Sequence, residues 1–184
     1  MSNEEKFDRP DESSKFLDFV AKEFRSRGTP LRIKLASKVH AKPVVTGLGI
    51  RVPEQIVELS DIEELRSVDL PDRVVLKYAH GWSARGVMLL EKLGPQEFFC
   101  HLAQRTRTLE ELIRIQQKIP SSFSSNRTAW ILEEFVASTI AGKPIPFDYK
   151  FYCFQSKVGL IVQIDRNTYP VKVNLLGPDF SPLQ

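Results

Sequence analysis

The sequence predicts an α+β fold, and three observations carry that prediction. Apolar residues recur at helical spacing through the first forty positions. An apolar strand pattern, VVLKYA, then leads through the small-residue loop HGWSARG into a second, VMLLEKL. Two period-two stretches, DYKFYCFQ and VGLIVQIDR, follow near the end. Helices first, then a strand–loop–strand unit with its own helices, then a run of strands, is an α+β order.

With 184 residues, 42% of them hydrophobic, the chain has enough apolar surface to bury a core. Its 26 basic and 23 acidic residues leave a net charge of +3, a mixed surface that by itself makes no case for nucleic acid. Cys100 and Cys153 lack CxxC spacing, which argues against a disulfide framework or zinc site and reads as two buried small apolar residues in a reducing compartment. The opening MSNEEKFDRPDESS has no apolar targeting core, and no window is long and apolar enough to cross a bilayer. A soluble cytoplasmic protein is the expectation.

Residues 1 to about 12 read as a tail. Ser13 or Ser14 then caps a helix with Phe16, Val20 and Phe24 on one stripe, closed by Gly28. Thr29-Pro30 starts a second, with Leu31, Leu35 and Val39 on its apolar face, and Pro43 stops it. TGLGIRVPEQIVEL is a glycine-marked loop entering a short strand. Ser60 with Glu63 forms a capping box for a short helix ending near Val68. After the strand–loop–strand, Gly94-Pro95 breaks the pattern and a helix through Phe98, Phe99 and Leu102 is expected. Thr108 with Glu111 is a second capping box, for a helix that turns Leu109, Leu112 and Ile113 inward and ends before Pro120. SSFSSNRT is a polar connection, AWILEEFVA a strand and ASTIAGKPIP a linker. The last two stretches then form an antiparallel pair.

Three constellations carry chemistry. A lysine in an apolar strand either snorkels to water or meets an anion, so Lys77 needs a partner. The loop after it has Gly81 and Gly86, where backbone N–H groups can turn inward to cradle phosphate, with His80 among them. Neither GxxxxGK[ST] nor GxGxxG is present, so this loop would be a flap between strands, or else an ordinary hairpin whose lysine faces solvent. In ILEEFV, Glu133 and Glu134 point to opposite faces of a strand, so one of them serves a ligand or both sit at a strand edge in water. In DYKFYCF, Asp148, Lys150 and Tyr152 share one face and Phe147, Tyr149, Phe151 and Cys153 the other. The polar face is a binding surface or a solvated Asp148–Lys150 ion pair, with Arg166 a further cation at the end of the partner strand. His40, His80 and His101 show no metal-ligand spacing, and no nucleophile elbow or Cys–His pairing stands out.

Taken in order, LPDRVVLKYAHGWSARGV, WILEEFV and GKPIPFDYKFYCFQSKVGLIVQIDR resemble the ATP-grasp enzymes. The closest branch is the TupA-like one, associated with teichuronopeptide and polysaccharide biosynthesis. The resemblance runs from about Lys38 to the C-terminus, and the DYKFYCF block with its spacing from EEFV carries most of it. It implies two α+β lobes with a glycine-rich loop between antiparallel strands. Residues 70–128 would be the first lobe and 129–184 an incomplete second, after a helical segment 13–69. It implies ATP and Mg2+ as cofactors, and a ligase that phosphorylates a carboxylate-bearing acceptor to an acylphosphate. Lys77 would contact the α- and β-phosphates. His80, Gly81, Ser83, Arg85 and Gly86 would belong to the loop closing over them. Glu133, Glu134, Phe135 and Val136 would form the interlobe hinge that reads adenine, Lys150 would face the nucleotide, and Arg166 would serve catalysis near the acceptor or γ-phosphate.

The chain departs from that family pattern at its end. Asp165 and Asp179 are the only late acids, neither in a recognisable metal motif, and Gln155-Ser156-Lys157 replaces a glycine-containing turn. A truncated second lobe, or a companion chain completing it, is therefore expected. Two alternatives stand beside the ligase: a noncatalytic nucleotide-binding or partner-binding module, and a single-stranded nucleic-acid binder using the alternating aromatics of KFYCF with Arg105 and Arg107.

Overall fold

A computed structural model of the chain describes Asp18, Lys22 and residues 38–81, 84–122, 129–154 and 156–183. The expected tail over residues 1–12, the helix from Ser13 or Ser14 to Gly28 apart from Asp18 and Lys22, and most of the next one fall outside the described residues. So do Trp82 and Ser83 of the loop, most of the SSFSSNRT connection, and Gln155. The chain divides into two units, Met1–Val52 and Pro53–Gln184.

In the first unit, helix α1 spans Lys38–Gly47 and includes Pro43, so the proline does not stop it as expected. Proline's fixed φ is itself helical, and what proline removes is one N–H. The helix continues with the Thr46 hydroxyl donating to the Lys42 carbonyl at 3.0 Å, and it closes where Gly49 takes a left-handed φ of +74°.

The second unit holds two antiparallel sheets. The first contains β1 (Gln55–Leu59), β2 (Arg73–Tyr78), β3 (Val87–Gly94), β4 (Glu97–Cys100), β5 (Arg105–Thr108) and β6 (Trp130–Glu134), in the order β1-β6-β2-β3-β4-β5. A strand therefore replaces the helix expected through Phe98, Phe99 and Leu102. Phe98 and Cys100 are buried while Phe99 turns to the other face, a period of two, and Gly94 pairs with Glu97 across a short turn. Helix α2 (Leu109–Gln117) starts at the expected cap, with the Thr108 hydroxyl accepting from the Glu111 N–H and the Glu111 carboxylate accepting from the Thr108 N–H. The short helix Ile62–Ser67 is 3-10, and its capping box is Asp61 with Glu64, one residue later than expected. Asp61 prevails because its carboxylate reaches the Glu63 N–H at 3.0 Å while Glu64 returns to the Asp61 N–H at 2.8 Å.

Both helices contribute to one core. Leu59, Ile62, Leu65, Val74, Leu76, Leu90, Phe98, Leu112, Ile113, Trp130 and Leu132 pack into a single cluster. Gln116 is the polar residue inside it, donating to the Gly86 carbonyl and accepting from the Trp130 indole, both at 3.1 Å. The second sheet is β7 (Asp148–Phe154), β8 (Lys157–Asp165) and β9 (Lys172–Leu176), with β8 central. β7 and β8 pair as expected, Asp148 opposite Ile164, with Ser156 at a φ of +67° in the turn; β9 was not anticipated. Cys100 is buried in the core cluster, but Cys153 on β7 is exposed, contrary to the expectation for both.

Candidate functional site

The register of the first sheet decides which residues meet. On β2, Val74, Leu76 and Tyr78 point into the core, so Arg73, Val75 and Lys77 line the opposite face. On β6, Trp130 and Leu132 face the core, which leaves Ile131 and Glu133 on that same opposite face. Val75 pairs with Glu133 and Lys77 with Ile131, so Lys77 and Glu133 are diagonal neighbours. The Lys77 ammonium donates to a Glu133 carboxylate oxygen, with the two side chains only 16% and 11% exposed. The anion that a lysine in this strand requires is thus Glu133, one strand away.

The same face continues onto β3 and β4. Val87, Leu89 and Glu91 stand opposite Lys77, Val75 and Arg73. Arg73 donates to Glu91 at 3.1 Å, and His101 sits 3.0 Å from the other Glu91 oxygen. The Arg73 guanidinium, more than the His101 ring, holds the Glu91 carboxyl below the usual carboxylate range against the opposing effect of burial. The His101 ring packs on Phe99 and on Phe135, and the Arg73 guanidinium lies 5.9 Å from the centre of the Phe135 ring.

Of the expected loop residues, those described lie between β2 and β3. Tyr78 donates to the Gly86 carbonyl at 3.2 Å, and Val87 to the Ala84 carbonyl at 3.1 Å, with Ala84 at a φ of +58°. Gly86 has a φ of +73°, and a Cβ there would come within 2.9 Å of Ile119 and 3.1 Å of Tyr78. Its close packing against Ile119 and Tyr78 therefore requires this glycine, independently of any ligand. His80 packs edge-on to Tyr78, Arg85 is exposed and Gly81 buried. A cavity of about 250 Å³ below Gly86, lined by Met88, Cys100, Arg107, Ile115 and Ile119 among others, contains no other expected site residue.

At the exit of β6, Glu134 is tied to the start of β1. Its N–H donates to the Glu54 carbonyl at 2.8 Å, and its carboxylate accepts from the Glu54 N–H at 3.2 Å. Phe135 is buried and Val136 exposed. On the second sheet, Arg166 pairs with Asp148 at 3.2 Å, so Asp148 takes Arg166 as partner rather than Lys150; Lys150 is exposed on the same face. Sequence reasoning passed over a neighbouring cluster. Lys143 donates to Asp165, and the Asn167 side chain brackets Ile145, accepting from its N–H and donating to its carbonyl, both at 2.8 Å. Lys143 first, then Asn167, holds the Asp165 carboxyl at about 2. Only the Asp-x-Asn spacing in IDRN hinted at such a local turn.

A family model described as TupA-like ATPgrasp matches residues 20–184. The chain belongs to the TupA-like ATP-grasp family. Membership makes it a protein of ATP-binding, ligase-like fold, consistent with the antiparallel sheets and few helices of its α+β architecture. Neither the curated proteins nor the solved structures give a match. ATP-grasp proteins typically use Mg2+ with ATP. Among the described residues no group of three or more His, Cys, Asp or Glu side chains could hold a metal ion, and the late acids do not fit one. Asp165 is engaged by Lys143 and Asn167, and Asp179 accepts from the Ser181 hydroxyl at 2.6 Å. No described helix is long and apolar enough to cross a membrane.

Proposed function

We propose that this chain is the ATP-binding part of a ligase-type ATP-grasp enzyme acting in cell-surface polysaccharide or peptide biosynthesis. The Lys77–Glu133 pair supports this reading most directly. It is a nearly buried cation on the face of the sheet opposite the core cluster, beside both the β2–β3 loop and the β6 exit. In this reading Lys77 shifts from Glu133 toward the α- and β-phosphates, and residues 80–86, Ser83 and Arg85 included, close over them. The backbone of Glu133–Val136 reads the adenine edge, with the Glu133 or Glu134 carboxylate assisting. Residues 70–128 provide the first lobe, and 129–184 provide the hinge and the strands of the second. There Lys150 faces the nucleotide, and Arg166 leaves Asp148 for the acceptor or γ-phosphate.

A carboxylate oxygen of the acceptor attacks the γ-phosphorus and ADP departs. An amine or thiol then displaces phosphate from the acylphosphate. Fixed cations offset the charge that develops during transfer. The described acids do not fit a magnesium site, and in this reading a companion chain supplies those donors.

Thermal unfolding with and without Mg-ATP tests the site. Ligand at a hundredfold excess over Kd stabilises the native state by about 2.7 kcal/mol, a shift Lys77→Met should lose. Because Lys77→Met takes the lysine partner from Glu133, Lys77→Met with Glu133→Gln serves as the matched control. An equal ATP shift in wild type and both variants would sink the assignment. ATP binding without Mg-dependent ADP release in the presence of carboxylate acceptors would mark a noncatalytic nucleotide-binding module instead.

A further inference from the structure

We propose that His101 is a positioning residue for the β6 exit. Held by Glu91 and set against Phe135, it fixes the ring and backbone that the nucleotide base meets. This rests on the reading of residues 133–136 given above, and goes beyond it by assigning a role to a residue that neither that reading nor the sequence pattern singles out.

The geometry carries it. An imidazole is costly to bury unless its polar atoms are bonded, and His101 is only 5% exposed. It is anchored at three points. Its ring Nε2 lies 3.0 Å from Glu91, its N–H donates to the Leu89 carbonyl at 2.9 Å, and its own carbonyl accepts from Gln104 at 2.5 Å. The ring stands perpendicular to Phe99, with centroids 5.1 Å apart, and tilted against Phe135 at 5.5 Å. Phe135 is the first residue beyond β6, and Arg73 reaches over it from β2 while also holding Glu91. One chain of contacts, Arg73–Glu91–His101, therefore meets Phe135 at both of its ends. Packing alone does not require that chain, since a leucine at 101 would fill the space without an ionic partner.

The neighbouring residues are clamped too, Glu133 by Lys77 and Glu134 by Glu54, whereas Val136 is exposed. The brace ends where the backbone reaches the surface. A segment whose backbone must present an N–H and a carbonyl to a planar base gains from being fixed before the base arrives. His101 acts on the base through Phe135 and has no part in holding phosphates.

The test is calorimetric binding of ATP and of inorganic tripolyphosphate to wild type, His101→Leu, Phe135→Leu, the double variant and Lys77→Met. The expected result is about tenfold weaker ATP binding in each of the first two variants, with tripolyphosphate binding unchanged. The double variant should be no weaker than either single one, whereas Lys77→Met loses both ligands. His101→Leu binding ATP like wild type, losing ATP and tripolyphosphate alike, or adding its effect to that of Phe135→Leu would overturn the inference while leaving the Lys77 site standing. A wild type that takes up no ATP refutes the site and the inference together. Should His101→Leu fail to fold, His101→Gln keeps a donor for Glu91 but removes the ring, and the same ATP-specific loss is expected of it.

Discussion

The two sheets of the second unit are built from similar strand sequences and reach different ends. The six-stranded sheet has one face sealed by α2 and the 3-10 helix, and the core cluster is drawn from these elements and the turn at Leu70. The three-stranded sheet buries Ile161, Ile164 and Leu176, yet Phe151 is 51% and Leu175 48% exposed. Alternation makes a strand, but only a second layer turns its apolar face into a core. Where that layer is thin, side-chain hydrogen bonds take a larger part. On one face of the three-stranded sheet, Asn174 donates to Gln163 and Gln163 to the Tyr149 hydroxyl, each at 2.8 Å. The preceding linker is pinned to the end of β8 by Lys143–Asp165 and Asn167–Ile145.

Paired truncations should expose the contrast most strongly. Leu132→Ala, in the middle of the six-stranded sheet and fully buried, is expected to cost about 2–5 kcal/mol in urea unfolding. Leu175→Ala should stay within about 0.5 kcal/mol. Equal losses would mean that the second sheet is covered in solution and would break the comparison.

A smaller effect is expected where the polar contact lies inside the helix-covered core. Gln116→Ala leaves the Trp130 indole N–H without its partner and takes one of two donors from the Gly86 carbonyl. It should cost about 1–3 kcal/mol and speed amide exchange around residues 84–88. Unchanged exchange there would show that the loop base does not depend on this glutamine.

The mildest test addresses the polar pins of the three-stranded sheet. Asp165 titrates at about 2 in the folded chain, against an ordinary 3.8, chiefly because Lys143 donates to it. A depressed carboxylate stabilises the fold fully above the ordinary value, and that contribution is lost as pH falls from about 4 through 2. Protection of the β7–β9 amides, taken relative to their intrinsic exchange rates at each pH, should therefore fall over that interval in wild type and less steeply in Asp165→Asn. The same acid slope in both proteins would remove Asp165 from the account.

Much of the fold was legible from local pattern. The Thr108–Glu111 box, the inward face of α2, the β7–β8 pair and the strand around EEFV all follow from spacing and cap chemistry. The errors share a cause, which is competition between two local signals. Phe98-Phe99-Cys100 fits a helix face as well as a strand, and Ser60 competes with Asp61 for the same cap. Pro43 stays inside α1 because its fixed φ is helical, although its missing N–H and ring count against an interior position. At the candidate site, the need of Lys77 for an anion was visible, but the identity of the anion was not. Nothing in FFCHLA announces that His101 will meet Glu91 from one strand and Phe135 from another.

By itself the sequence determined the α+β class, the family pattern and which residues carry charge within apolar strands. Those properties reside in period, capping and composition, which are local. Tertiary structure alone decided that β6 inserts between β1 and β2, and that insertion sets every pairing at the site. It puts Glu133 diagonal to Lys77, and brings Phe135 beside Arg73 and His101. A register between strands more than fifty residues apart is chosen by which face is buried in the whole sheet, and no short stretch of sequence contains that information.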